Sequence, residues 1–225
     1  MHPVVVDLLR GNAEHARQYR DRLDHVQDGQ RPTAVTVCCS DSRVLQDHLW
    51  GNDEPGRLFT CSNIGNRVAQ RPDDPIVSGD VLYPLVHTGT EVAVVVGHTG
   101  CGAVTATYDA LTSGRDEPEG IAHCVALLAP DLAPGVDRLP PGTDRTAAVN
   151  RLVEYNVDRQ VDRLVASPDV PDSVTCVGAV YDLHGVYPGD RGSVHVVNVD
   201  GETDPEALRA AHPDVAARVH RRWTD

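Results

Sequence analysis

At 225 residues the chain is long enough to bury a full core, and one α/β domain with an arm is the natural reading of that length. A formal net charge of -13 excludes a basic nucleic-acid or anionic-membrane surface, because both partners require cations that neutralise phosphates. All 20 basic residues are arginine and aspartate outnumbers glutamate, the bias expected of a salt-adapted surface.

The chain opens without a basic stretch leading into a long apolar run, so no signal peptide is expected, and no apolar run approaches a bilayer's thickness. Six cysteines in a chain this long do not make a secreted disulfide framework. A cytoplasmic protein is the expectation. Between residues 3 and 28, Val5, Leu8, Leu9, Ala13, Ala16, Leu23 and Val26 recur at helical spacing among charges, which predicts a helical arm over 1–28. Residues 34–38 read as a buried strand, 58–61 as a second after the turn Glu54-Pro55-Gly56, and 91–97 as the clearest of all. Residues 78–88 fit a helix, with Pro84 tolerated only near its first turn.

From 114 to 143 the composition turns to proline, glycine and acid around a short apolar piece at 121–128, and a surface excursion is expected there. A helix over 146–167 follows, then strands over 174–180 and 193–199. Strands alternating with helices specify a single α/β domain over 1–225, with a central, mostly parallel sheet flanked by helices. Functional loops of such a sheet emerge at the strand C-terminal ends.

Two segments stand at such ends: Cys39-Ser40-Asp41-Ser42-Arg43 and His98-Thr99-Gly100-Cys101. Neighbouring parallel strands bring Cys39 and His98 within ligand range of one ion, and Cys101 follows His98 at a spacing that lets both reach it from one turn. A structural zinc site normally takes four protein ligands. Here there are three, beside an aspartate that already has an arginine two residues away. That count favours a zinc site with one coordination position left for chemistry.

The chain resembles the β-class carbonic anhydrases. The match is Cys-x-Asp-Ser-Arg at 39–43 and Gly-His-x-x-Cys-Gly at 97–102, joined by Gly29-Gln30-x-Pro32, Pro55-Gly56-x-x-Phe59, Asn63-Ile64-Gly65-Asn66, Glu154-x-Asn156-Val157-x-x-Gln160-Val161 and Val177–Leu183. It implies Cys39, His98 and Cys101 as ligands of one zinc ion per chain and Asp41 with Arg43 as the catalytic dyad. The implied reaction is the reversible hydration of carbon dioxide to bicarbonate and a proton.

Gln30, Phe59 and Tyr83 match the substrate pocket of the open-site, plant-like subclass. The form regulated by a second bicarbonate carries tryptophan and arginine where this chain has Thr36 and Ser62. Family members form dimers or tetramers whose N-terminal helices wrap a partner and whose clefts lie at the interface, so a homodimer or homotetramer is implied. Asn63, Asn66, Asn156 and Gln160 are expected to satisfy backbone or interface groups, and Cys38, Cys61, Cys124 and Cys176 to be core thiols. His48, His87 and His184 could approach the cleft, and none is assigned a proton-carrying role. The alternatives are a zinc hydrolase of carbon disulfide or carbonyl sulfide on the same scaffold and, more remotely, a cysteine-based sulfurtransferase that would leave His98 and Cys101 unused.

Overall fold

A computed structural model describes residues 1–71, 76–114 and 117–223. The apolar, β-branched runs form five strands: β1 (Ala34–Cys39), β2 (Leu58–Asn63), β3 (Val92–His98), β4 (Thr175–Tyr181) and β5 (Val194–Val199). Their order across the sheet is β2-β1-β3-β4-β5. The pairs β1 with β2, β1 with β3 and β3 with β4 are parallel, and the β4 to β5 pair is antiparallel. A mostly parallel sheet is thus what the alternation of strands and helices specified. The antiparallel edge follows from a connection over 182–193 that returns directly, tied by Asp182 N–H to Ser193 O at 2.9 Å and Gly192 N–H to Asp182 O at 2.7 Å.

Among the described residues there are six α-helices, of which the first forms an arm and the others lie about the sheet: α1 (Pro3–Tyr19), α2 (Gly79–His87), α3 (Gly102–Ser113), α4 (Glu119–Asp137), α5 (Arg145–Ala166) and α6 (Pro205–Ala211). The axis of the core is α5, whose N-terminus is capped by Asp144 accepting from Thr146 N at 3.0 Å and Ala147 N at 3.1 Å. Two strand glycines let it lie close. A Cβ on Gly97 would fall 2.8 Å from Val153 and Val157, and one on Gly178 would fall 2.7 Å from Val157. The helix therefore presses on β3 and β4 directly behind the strand that ends in His98.

Three expectations need correction. The 114–143 stretch, of which residues 115 and 116 lie outside those described, is not a surface excursion, because α4 occupies most of it and buries Leu128 and Leu132 completely. Pro130 and Pro134 stand inside that helix, where their missing N–H groups disguised it as loop. In α2, Pro84 sits well beyond the first turn, and the Asp80 carbonyl that a residue there would have engaged accepts the Cys61 thiol at 3.3 Å instead. Cys124 is only half-buried on α4, whereas Cys38, Cys61 and Cys176 are core groups.

The N-terminal arm is α1 followed by a 3₁₀ segment, Arg20–Val26, and none of its residues is buried. Its apolar face lies open: Leu8 is 67% exposed and Leu9 56%. The opposite terminus is held tightly. Val219 bridges Val196 beside β5, the amides of Arg222 and Trp223 each donate to the buried Glu154 carboxylate at 2.6 Å, and Arg221 pairs with Asp158 at 2.8 Å with both side chains almost fully enclosed. No described helix is long and apolar enough to cross a membrane.

Candidate metal centre

Strand register assembles the centre. Cys38 lies opposite Val96, which sets Cys39 at the end of β1 next to the level where β3 ends in His98. Alternation then separates the two adjacent thiols. Cys39 faces the main core, while Cys38 packs with Val44 and Val96 in a smaller cluster on the other face. Burial pushes the Cys38 thiol up to about 12, so it stays protonated. After β3, the chain turns through Gly100 in the left-handed region at φ 64°, and Cys101 occupies the N-cap position of α3.

The side chains of Cys39, His98 and Cys101 offer ligand atoms that all lie within 4.8 Å of one another. The two sulfurs are 3.7 Å apart. His98 Nδ1–H donates to the Thr99 carbonyl at 3.2 Å, the tautomer that leaves the Nε2 lone pair free. That Nε2 is buried without a hydrogen-bond partner. A buried acceptor aimed at two sulfurs with nothing to receive is the signature expected of a metal ligand, and a borderline-soft divalent cation suits the donor set. The thiol pair is prepared in the same sense. The Cys101 thiol donates to Cys39 Sγ and holds it well below the ordinary thiol range, with the Gly65 amide, 3.4 Å away, contributing, whereas Cys101, which keeps the shared proton, is pushed up.

Asp41 stands on the open side of this group, its Oδ2 3.6 Å from His98 Nε2. Arg43 engages it closely, donating from Nε to Oδ1 at 2.9 Å and from a terminal nitrogen to Oδ2 at 2.7 Å, and the Arg43 amide adds a third bond at 2.9 Å. This fork holds the Asp41 carboxyl far below the usual carboxylate range. The same guanidinium reaches the Gly100 carbonyl at 3.3 Å, so the dyad is tied to the turn that carries two of the three ligand candidates.

The other pocket candidates lie elsewhere in the chain. Phe59 and Tyr83 meet each other, with ring centroids 6.3 Å apart, and Tyr83 also meets His87 at 5.3 Å. Phe59 pairs with Val35, roughly 13 Å before Cys39 along β1 at strand spacing. Gln30 is exposed near the N-terminal ends of β1 and β2, lining a cleft with His25, Glu54 and Arg57. One chain therefore assembles the metal group and the dyad, but not these three with them.

Several supporting groups lie outside the ligand and dyad motifs. Gly65 reaches Cys39 through a backbone amide, and Gly100 N–H is held by Asn150 Oδ1 at 2.9 Å. Three of the four residues expected to serve the backbone do so: Asn156 donates to Gly65 O at 3.1 Å, Gln160 accepts from Val68 N at 2.9 Å, and Asn63 brackets Arg67 through both its backbone groups; Asn66 does not, its Oδ1 accepting from Asn156 Nδ2 at 3.3 Å and its own Nδ2 buried without a partner. Where a regulatory anion site would need tryptophan and arginine, Thr36 contacts Gln46, which in turn bonds Ser62.

The profile of the family described as carbonic anhydrase matches residues 34–187. A carbonic anhydrase of Pseudomonas aeruginosa is 32% identical over 190 residues, covering 84% of this chain and 82% of that protein. Among solved structures, a Coccomyxa β-carbonic anhydrase in complex with acetazolamide is 25% identical with a TM-score of 0.66, covering 92% of this chain and 90% of that one. A second, one of two tetrameric β-carbonic anhydrases from Sordaria macrospora, shares the fold at a TM-score of 0.70 and 22% identity, covering 87% of this chain and 95% of that one.

Proposed function

The chain belongs to the β class of the carbonic anhydrase family and is an enzyme of that kind, and on that premise we propose that it interconverts carbon dioxide and bicarbonate at a zinc ion held by Cys39, His98 and Cys101. The observation that carries this reading is the convergence of three buried donor atoms within 4.8 Å, one of them the orphaned His98 Nε2. Zinc bound there supplies Lewis acidity that lets a water ionise far more readily than in bulk. Two thiolates temper that acidity relative to a site of three neutral imidazoles.

The remaining work falls to the dyad. Asp41, kept ionised by Arg43, accepts the single proton of the attacking oxygen in a hydrogen bond and so turns a lone pair toward the carbon of carbon dioxide. Arg43 keeps both carboxylate oxygens engaged and thereby off the metal, which corresponds to the open-site subclass. The ligand candidates are buried while the Arg43 side chain is 47% exposed, so the charge-assisted fork stands at the solvent edge of the site. The bicarbonate product is an anion, and the Arg43 guanidinium and the α3 N-terminus favour its negative charge as it forms. The six free cysteines suit a reducing compartment, the cytoplasm.

Gln30, Phe59 and Tyr83 complete the substrate pocket from a second copy of the chain. Two features support this: their distance from Cys39 within one chain, and the uncovered apolar face of α1, which needs a partner to bury it. The assembly is a homodimer or a homotetramer built from such dimers. Stopped-flow carbon dioxide hydration with metal content measured on the same sample tests the reading. One zinc per chain and hydration lost on chelation are expected. Full activity in metal-free protein would overturn it.

A further inference from the structure

The turn from His98 to Cys101 must aim an imidazole and a thiol at one point, yet it contains Gly100 at φ 64°, the residue best able to let it drift. Its backbone is held from four directions. Thr99 N–H donates to Tyr181 O at 3.1 Å, Gly100 N–H to Asn150 at 2.9 Å, the Gly100 carbonyl accepts from Arg43 at 3.3 Å, and the Thr99 carbonyl accepts from His98 Nδ1 at 3.2 Å. A fifth hold comes from the side chain of Thr99, which is completely buried between the two ligand candidates.

Thr99 Oγ1 lies 2.8 Å from His184 Nδ1, 3.3 Å from Asp182 Oδ1 and 2.9 Å from Leu183 N. A hydroxyl has one proton and two lone pairs, and one assignment uses all three. Leu183 N–H and His184 Nδ1–H donate to the oxygen, and the hydroxyl proton goes to Asp182. The carboxylate is itself immobile, accepting from the amides of His184 at 3.1 Å, Gly185 at 2.9 Å and Tyr187 at 3.0 Å. The His184 ring also closes over the turn, since a Cβ on Gly100 would come within 2.6 Å of its Cε1. The loop after β4 thus grips the turn after β3 at the residue between the two ligand candidates, through one hydroxyl.

Resting on the metal centre proposed above, we infer that Asp182 and His184 act through Thr99 Oγ1 as positioning residues for the metal turn, fixing where His98 Nε2 and Cys101 Sγ converge. Thr99→Val separates this role from packing, because it keeps the volume and removes the hydroxyl, and Thr99→Ser restores the hydroxyl. The readouts are the rate at which zinc passes to a chelator and the visible absorption bands of the cobalt-substituted protein. Thr99→Val should release zinc about 10- to 100-fold faster and shift the cobalt bands, the range typical of lost outer-shell partners. Thr99→Ser should return both toward wild type.

A folded Thr99→Val protein with wild-type release and wild-type bands overturns the inference, as does a Thr99→Ser protein equally impaired, which would assign the effect to the methyl group. Should Thr99→Val fail to fold, His184→Ala carries the test on an exposed residue: faster release with shifted bands supports the inference and unchanged behaviour overturns it. A wild-type chain that takes up neither zinc nor cobalt overturns the metal centre itself, and with it this inference. Uptake by the wild type with indifferent variants overturns only the positioning role.

Discussion

Cys38 and Cys39 are chain neighbours with opposite chemistry, and strand alternation alone separates them. One thiol sits in apolar packing that keeps it protonated; the other receives hydrogen bonds that favour its thiolate. Cys39→Ser should therefore abolish zinc binding while Cys38→Ala leaves one zinc per chain, a contrast that elemental analysis of the two purified variants reads directly. Asp41 and Arg43 invite a different test. Asp41→Ala should retain zinc yet lose hydration activity by ~100-fold or more, the scale on which positioned proton-accepting groups contribute. A zinc-loaded variant turning over at the wild-type rate would remove Asp41 from the mechanism. The five candidates Cys39, Asp41, Arg43, His98 and Cys101 were legible because their chemistry is local: ligand types, a spacing of three and an ion pair two residues apart can all be read along a line. Thr99, Asp182 and His184 were not, because their meaning appears only when the ends of β3 and β4 lie side by side.

At the level of elements, α4 and α5 carry the centre from behind. Leu128 on α4 is fully buried and packs so closely against Gly65 that a Cβ there would lie 2.5 Å away, and Gly65 is the residue whose amide supports Cys39. Leu128→Ala should cost roughly 3 kcal/mol in a denaturant titration, within the range for a truncated buried leucine. Strands and α5 were readable because their apolar periodicity is uninterrupted. Proline hid α4 and misplaced the limit on α2, because a sequence shows the N–H a proline lacks but not the tertiary group that serves the freed carbonyl, as the Cys61 thiol serves Asp80. The C-terminal strap was likewise silent: nothing local says that Glu154 and Asp158, one turn apart on α5, face inward to receive the tail.

For the molecule as a whole, pH and salt act on different surfaces. His195 and His220 face each other, Nδ1 to Nδ1, at 3.2 Å, and burial lowers both below the ordinary histidine value, with the neighbouring Arg218 and Arg209 acting in the same direction and Asp182 opposing at His195. A histidine lowered in the folded state binds its proton more readily when unfolded. Stability from this pair is therefore complete above the unfolded value of about 6.5 and is lost as the pH falls from there toward the folded values. The melting temperature should drop between pH 7.5 and 5.5, and His220→Asn should make the drop smaller; an identical drop would assign it to other groups. Salt acts on assembly. Protomers of net charge -13 repel one another until screened, and the screening length falls from about 10 Å at 0.1 M to about 3 Å at 1 M. Sedimentation at low and high salt should show the larger species favoured at high salt.

The separation of Gln30 from Cys39 has a consequence that reaches into genetics. If each cleft draws its dyad from one chain and its glutamine from another, a lesion at Asp41 damages a chain's own cleft and a lesion at Gln30 damages its partner's. A cell or a refolding mixture holding both Gln30→Ala and Asp41→Ala chains would then contain mixed pairs in which one cleft inherits both faults and the other inherits neither. Two defective alleles would complement each other within a single protein, and the heritable unit of activity would be the pair.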